Sequence, residues 1–246
     1  MNGLSIQKLA KEMSALVRVF PQKRKSQVVV FEGVPGCGKS SAVARLALYL
    51  KSLSFEVFVH EEKPDPFFLG LYLSDMPRYA FAFQIHMATE RRVAMRDAMQ
   101  KVQSQDNTIV ILDRSIAGDW AFERHLRKIG WISEKENGAY RAISGVPPGC
   151  TLAMQYPAEW VKVLYLSVTP ETSLRRVATR GNASEISAYD TAYMSSLQKA
   201  YEEVLDLYVP GVQTIDWNTD VTMQKDADGT QLPEEAIVPL VKLLNL

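Results

Sequence analysis

Long apolar runs are missing from this 246-residue chain, and with them any stretch of the roughly 20 residues that a membrane-spanning helix needs. A secretory h-region is missing too. Cysteine is scarce: Cys37 and Cys150 are the only two. That is too few for a disulfide framework and points to a reducing compartment, with cytoplasmic location as the expectation. Excess charge of either sign is absent. Lys+Arg and Asp+Glu number 28 each, which argues against a nucleic-acid backbone as the main partner, so any cationic cluster must be local and serve a small anion. Internal repeats and low-complexity tracts are lacking. The length suits one α/β domain with a lid or insertion.

What is present begins with Gly33-Val34-Pro35-Gly36-Cys37-Gly38-Lys39-Ser40, a full match to G-x-x-x-x-G-K-[ST]. Val28-Val29-Val30-Phe31 precedes it as a buried strand. Val43, Leu46, Ala47 and Leu50 follow at helical spacing. In this strand–loop–helix context the glycines let backbone wrap a polyphosphate, and the first helical amides point at the anion. Lys39 would neutralise the β/γ-phosphates, the Ser40 hydroxyl would sit on Mg²⁺, and Ser41 follows in the same turn. A Gly-rich turn capped by Ser40 is the plain alternative, but it would not need lysine at that spacing.

Leu4 to Phe20 places apolar residues on one helical face. It reads as an amphipathic extension over 1–26, docking onto residues 27–246, with a mitochondrial transit peptide as the minority reading. A second strand, Phe55 to His60, ends at Glu61-Glu62-Lys63-Pro64, at the carboxyl edge where open α/β sheets bind ligands. Tyr79 to Gln103 reads as a long helix. A third strand, Thr108 to Leu112, ends in Asp113-Arg114-Ser115, with Asp119 opening the next helix. Gly130 to Trp160 resists assignment, though its length demands some structure of its own. Val161 to Leu166 and Gln213 to Trp217 complete five strands. Helices run from Thr169-Pro170, over Ala188 to Tyr208, and over Pro233 to Leu244. The fold class expected is α/β: a five-stranded parallel sheet with helices on both faces.

Arg175, Arg176 and Arg180 share a helix that ends at Gly181. Glu171 can pair with Arg175, whereas like charges at 176 and 180 repel by about 0.2–0.5 kcal/mol. A bound phosphate between Arg176 and Arg180 would reverse that sign. Two solvated arginines are the competing reading.

Taken together these motifs resemble the deoxyribonucleoside kinases of the deoxycytidine/deoxyguanosine kinase type, with their bacterial and viral relatives. The likeness runs from the glycine loop to about Trp217. It is carried by Glu61-Glu62-Lys63-Pro64, Phe81-Ala82-Phe83-Gln84, Arg91, Asp113-Arg114-Ser115, Asp119 and the lid stretch from Thr169 to Gly181. The resemblance implies a P-loop kinase fold with an arginine-bearing lid at about 175–187, and ATP-dependent phosphorylation of a nucleoside 5′-hydroxyl, with Glu62 as the base and Glu61 in reserve. Lys39, Mg²⁺, Arg114 and the lid arginines would stabilise charge, and Asp113 would help Ser40 hold Mg²⁺. Gln84 would meet the base edge, and Arg91 with Asp119 would face the exocyclic group, as in cytidine- and purine-preferring members. Phe81 and Phe83 would wall the pocket or belong to the core. Glu185 would hold the sugar 3′-hydroxyl with help from Tyr72. Asn182 stands where some members carry another lid arginine, and Trp217-Asn218-Thr219-Asp220 would cradle adenine. A homodimer is implied as well.

Two rivals stand beside this reading. A monophosphate kinase of the thymidylate kinase type would need cations for its acceptor's phosphate, where Glu61 and Glu62 stand here. A non-catalytic nucleotide-binding module would not need Gln84, Arg91 and Asp119 as well.

Overall fold

The computed structural model describes residues 26–144, 151–219, 240–242 and 244. In chain order the elements are β1 (Gln27–Glu32), α1 (Lys39–Ser52), β2 (Glu56–His60), α2 (Pro66–Ser74), α3 (Met76–Ser104), β3 (Thr108–Asp113) and α4 (Ile116–Lys128). They continue as α5 (Glu134–Ser144), α6 (Leu152–Gln155), β4 (Val161–Ser167), α7 (Pro170–Arg180), α8 (Ala183–Ala188), α9 (Thr191–Tyr208) and β5 (Gln213–Asp216). The strands form one sheet in the order β2-β3-β1-β4-β5, and every pairing is parallel.

β1 lies in the middle and has no exposed face, so Val28, Val29, Val30 and Phe31 are fully buried, as a parallel sheet covered by helices requires. Register sets the functional edge. Phe31 pairs with Asp113, and His60 pairs with Leu112. The chain therefore leaves β1, β2 and β3 at one level, and Gly33, Glu62 and Arg114 emerge side by side.

Helix starts follow local chemistry. Asp65 caps α2 ahead of Pro66, Asp75 caps α3 ahead of Pro77, and Thr169 caps α7 ahead of Pro170. The span that resisted assignment holds α5 and α6. Ser133 and Glu136 form a reciprocal cap, with Ser133 N donating to Glu136 Oε2 at 2.8 Å and Glu136 N donating to Ser133 Oγ at 3.3 Å. The helix expected over Ala188 to Tyr208 is α9, which starts at Thr191 behind its cap Asp190, and a separate short helix, α8, capped by Asn182, precedes it. Asn182 thus serves as a cap, accepting from the Ser184 and Glu185 amides. The extension from Leu4 to Phe20, residue Asp220 and most of the Pro233–Leu244 helix lie outside the described residues. Leu240 and Leu244 are buried.

Candidate active site

A cleft of about 440 Å³ opens at the carboxyl edge of the sheet and runs from the glycine loop to Gln84. At one end Gly38 stands as N-cap of α1 with φ 98° and no side chain to cap it, so the first amides of the helix stay open to the cleft. Gly36 is required for space as well as conformation. A Cβ there would lie 2.5 Å from Ser173 O and 2.8 Å from Val177 Cγ2, at φ +75°. Lys39 Nζ folds back onto the carbonyls of Gly33 and Val34 at 3.2 and 3.3 Å. Pro35, Gly36, Gly38, Lys39, Ser40 and Ser41 line the cleft, while Val34 and Cys37 are buried beneath the loop.

Beyond the loop, Ser40 Oγ donates to Asp113 Oδ2 across 3.4 Å, while Asp113 Oδ1 is buried without a hydrogen-bond partner. A hydroxyl beside a carboxylate with a spare oxygen is a donor set that suits Mg²⁺, which binds through one or two protein oxygens and completes its shell with water and phosphate.

Glu62 sits at the centre. Its Oε1 accepts from Arg91 Nε at 2.9 Å and Nη2 at 2.5 Å, and its Oε2 accepts from Arg114 Nε at 2.6 Å. Burial alone would raise the Glu62 carboxyl, but Arg91 and then Arg114 outweigh it and bring the group down to about 2. Glu61 goes elsewhere: it points to solvent and pairs with Lys63 at 2.8 Å. The structure therefore corrects its place as reserve base. Alternation along the extended chain sends one glutamate of the pair inward and the other out.

Gln84 Nε2 donates to Asp119 Oδ1 at 2.6 Å and to the Asp119 carbonyl at 2.9 Å, and Arg91 Nη1 donates to the same Oδ1 at 2.9 Å. Asp119 is 0% exposed and lies behind Gln84 and Arg91, which themselves line the cleft. This corrects the expectation that Asp119 faces the base directly: its carboxylate acts on the cleft through these two neighbours. Complete burial pushes the Asp119 carboxyl up to about 7, against the pull of Arg91 and of the Tyr140 hydroxyl. Phe83 walls the cleft and stacks on Tyr72 with centroids 4.6 Å apart and planes 6° off parallel, whereas Phe81 packs against the core.

A family model described as deoxynucleoside kinase matches residues 29–236. The chain belongs to the deoxynucleoside kinase family. Similar proteins include a deoxyguanosine kinase of Lactobacillus acidophilus, 28% identical over 199 residues that make up 81% of each chain. Another is a deoxyguanosine kinase of Dictyostelium discoideum, 28% identical over 202 residues, 78% of this chain and 65% of that one. Among solved structures, the deoxyadenosine kinase of M. mycoides with bound dCTP shares the fold. Its TM-score is 0.64 at 22% identity, over 89% of this chain and 99% of that one.

In this kinase the lid arginines do not face each other. Arg176 reaches the Cys37 carbonyl at 2.9 Å and the carbonyls of Trp217, Asn218 and Thr219 at 2.8–3.3 Å, tying α7 to the glycine loop and to the end of β5. Arg180 meets Glu185 at 2.8 Å. Separate acceptors meet the two charges, so the repulsion that suggested a shared phosphate is relieved within the protein. Both arginines, with Glu185 and Tyr189, still line the cleft. The Tyr72 hydroxyl shares a hydrogen bond of 3.1 Å with that of Tyr193. Asn218 accepts from the Thr169 amide, fixing the start of the lid helix to the loop after β5.

Three residues of the kinase site carry no motif that announces them. Glu32 ends β1 fully buried, and its Oε1 accepts from Ser115 N at 2.8 Å, Ser115 Oγ at 2.8 Å and Gly118 N at 3.0 Å. It thereby holds the first turn of α4 against the glycine loop. Tyr201 accepts from Arg114 Nη1, and that nitrogen also donates to the Gly33 carbonyl at 2.7 Å. Tyr140 of α5 donates to Asp119 Oδ2.

Proposed function

We propose that this kinase moves the γ-phosphoryl group of ATP onto the 5′-hydroxyl of a deoxyribonucleoside, with purine deoxynucleosides and deoxycytidine taken ahead of thymidine. The observation that carries this reading is the Glu62 carboxylate, set in the cleft between the glycine loop and Gln84, where an incoming monophosphate would meet like charge. Arg91 and Arg114 balance Glu62, and Arg91 also balances Asp119, so their charge is shared with carboxylates rather than left over for an acceptor's own phosphate.

Glu62 orients the hydroxyl and takes its proton. A carboxyl held near about 2 is a weak base, so its main service is alignment, and proton transfer comes late in a largely dissociative displacement. Charge developing on the transferred group meets Lys39, Arg114 and the lid arginines, preorganised donors in a partly dry site. Mg²⁺, held by Ser40 and Asp113, would supply charge neutralisation between the phosphates. Gln84 and Arg91 read the base edge, and Glu185 with Tyr72 takes the sugar. The adenine end lies by Trp217 and Asn218. Among the described residues no helix is long and apolar enough to cross a membrane. We read the protein as cytoplasmic and, from its family, as a homodimer.

The test is incubation with Mg²⁺-ATP and a panel of deoxynucleosides and their monophosphates. Deoxynucleosides are expected to gain phosphate. Conversion of a monophosphate to a diphosphate, with nucleosides untouched, would overturn the reading in favour of a monophosphate kinase.

A further inference from the structure

The α5 helix belongs to the segment that the sequence left without a role, and it packs against both α3 and α4. Those two helices bear the base-reading groups: Gln84 and Arg91 on α3, Asp119 on α4. Arg92 ties the C-terminal end of α5 to α3 through the Ile143 and Ser144 carbonyls. Tyr140, 2% exposed, points from α5 into this junction, and its hydroxyl donates to Asp119 Oδ2.

The bonds around Asp119 fix which way Gln84 points. The Asp119 carbonyl only accepts, and Oδ1 accepts from Arg91, so the two of them must take the amide NH₂ of Gln84. The remaining polar atom of Gln84, its carbonyl Oε1, is then the one left for the cleft. Arg91 spends three of its five N–H groups on Glu62 and Asp119 and keeps two. The site therefore offers the base an acceptor from Gln84 beside a donor from Arg91. The backbone carbonyl gives one half of that arrangement; the other half, the grip of Oδ1 on both Gln84 and Arg91, lasts while the carboxyl stays turned toward them, and a buried carboxyl stays turned only if its other oxygen has a partner. Tyr140 is that partner.

We propose that Tyr140 is a positioning residue for base selection: by pinning Asp119 Oδ2 it locks the Gln84 amide with its carbonyl toward the cleft, and so favours nucleosides whose base presents an N–H there. The inference rests on the nucleoside reading above and assigns to α5 the support of base choice.

The experiment compares kcat/KM for deoxyadenosine with that for its analogue lacking the 6-amino group, and for deoxycytidine with its analogue lacking the 4-amino group. Wild type, Tyr140→Phe, Asp119→Asn and the double variant are measured. Tyr140→Phe keeps the ring that packs the junction and removes only the donor. Its preference for the amino-bearing nucleoside is expected to fall about tenfold, through the KM for nucleoside. The KM for ATP should stay within about twofold of wild type. In the Asp119→Asn background the same change should alter the preference no further, because the oxygen that Tyr140 serves has been replaced. A merely structural loss would lower the active fraction and leave the ratio where it was. An unchanged ratio in Tyr140→Phe, or an equal drop in both backgrounds, would overturn the proposal. Should Tyr140→Phe fail to fold, Asp119→Asn alone decides: an unaltered preference in that variant would overturn it. Wild-type activity on deoxynucleosides separates these outcomes from failure of the functional reading itself.

Discussion

Arg114 holds its backbone in the left-handed region, at φ 72°, and its Nε meets Glu62 Oε2 at 2.6 Å. The two features belong together. A non-glycine residue there costs about 1–3 kcal/mol, and the surroundings over-determine it: the Arg114 amide donates to Phe31 O at 2.9 Å, and the guanidinium reaches Glu62, the Gly33 carbonyl and Tyr201. The turn after β3 thus aims one side chain at the ends of two other strands.

Arg114→Lys should therefore keep the charge and lose the function. An ammonium on a flexible stem cannot serve three acceptors in one plane. Turnover of deoxynucleoside should fall about 10²–10³-fold, as when one preorganised donor to a transition state is lost. Steady-state kinetics beside a melting curve checks this, and near-wild-type turnover would show that charge alone suffices.

Gly36→Ala should damage both stability and ATP binding. The new methyl would press on Ser173 O and Val177 Cγ2 at a φ that side chains rarely adopt. A cost of about 1–3 kcal/mol is expected, which for a chain of this size lowers Tm by roughly 2–12 °C. Calorimetry with and without ATP reads both effects.

The two central carboxyls impose opposite pH dependences on stability. Asp119 is raised from 3.8 to about 7, so between these values the folded state binds its proton more tightly than the unfolded chain does. Its contribution is full below 3.8 and is lost as pH rises through about 7. Glu62 is lowered from 4.5 to about 2, so its contribution is full above 4.5 and is lost as pH falls toward 2. In denaturant titrations Asp119→Asn should flatten the profile on the neutral side, and Glu62→Gln on the acid side.

Much of this architecture is written locally. The glycine loop announces itself because strand, glycines, lysine and helix fall within about 25 residues, and each strand of the sheet declares itself by a short β-branched run bounded by breakers. Glu62, Gln84, Arg91 and Arg114 were legible as chemistry in a recognisable order. The division of labour among them was not. That Glu61 turns outward and Asp119 inward depends on backbone phase and on partners from other elements. Glu32 bonds to Ser115, 83 residues away, and Tyr201 to Arg114, 87 residues away. Such contacts leave no periodic trace in one sequence. The cap of α5 is different: Ser133-Glu134-Lys135-Glu136 is a readable start signal, set in a segment whose glycines and prolines otherwise favour loops.

The most direct measurement is turnover of a deoxynucleoside by Glu62→Gln, taken beside its affinity for ATP. An amide keeps the shape but cannot take a proton, and it meets Arg91 and Arg114 without charge. ATP binding should remain within about twofold of wild type, while phosphorylation falls by about 10²–10⁴-fold. Full turnover by Glu62→Gln would contradict the account, because the acceptor hydroxyl would then be aligned by some other group.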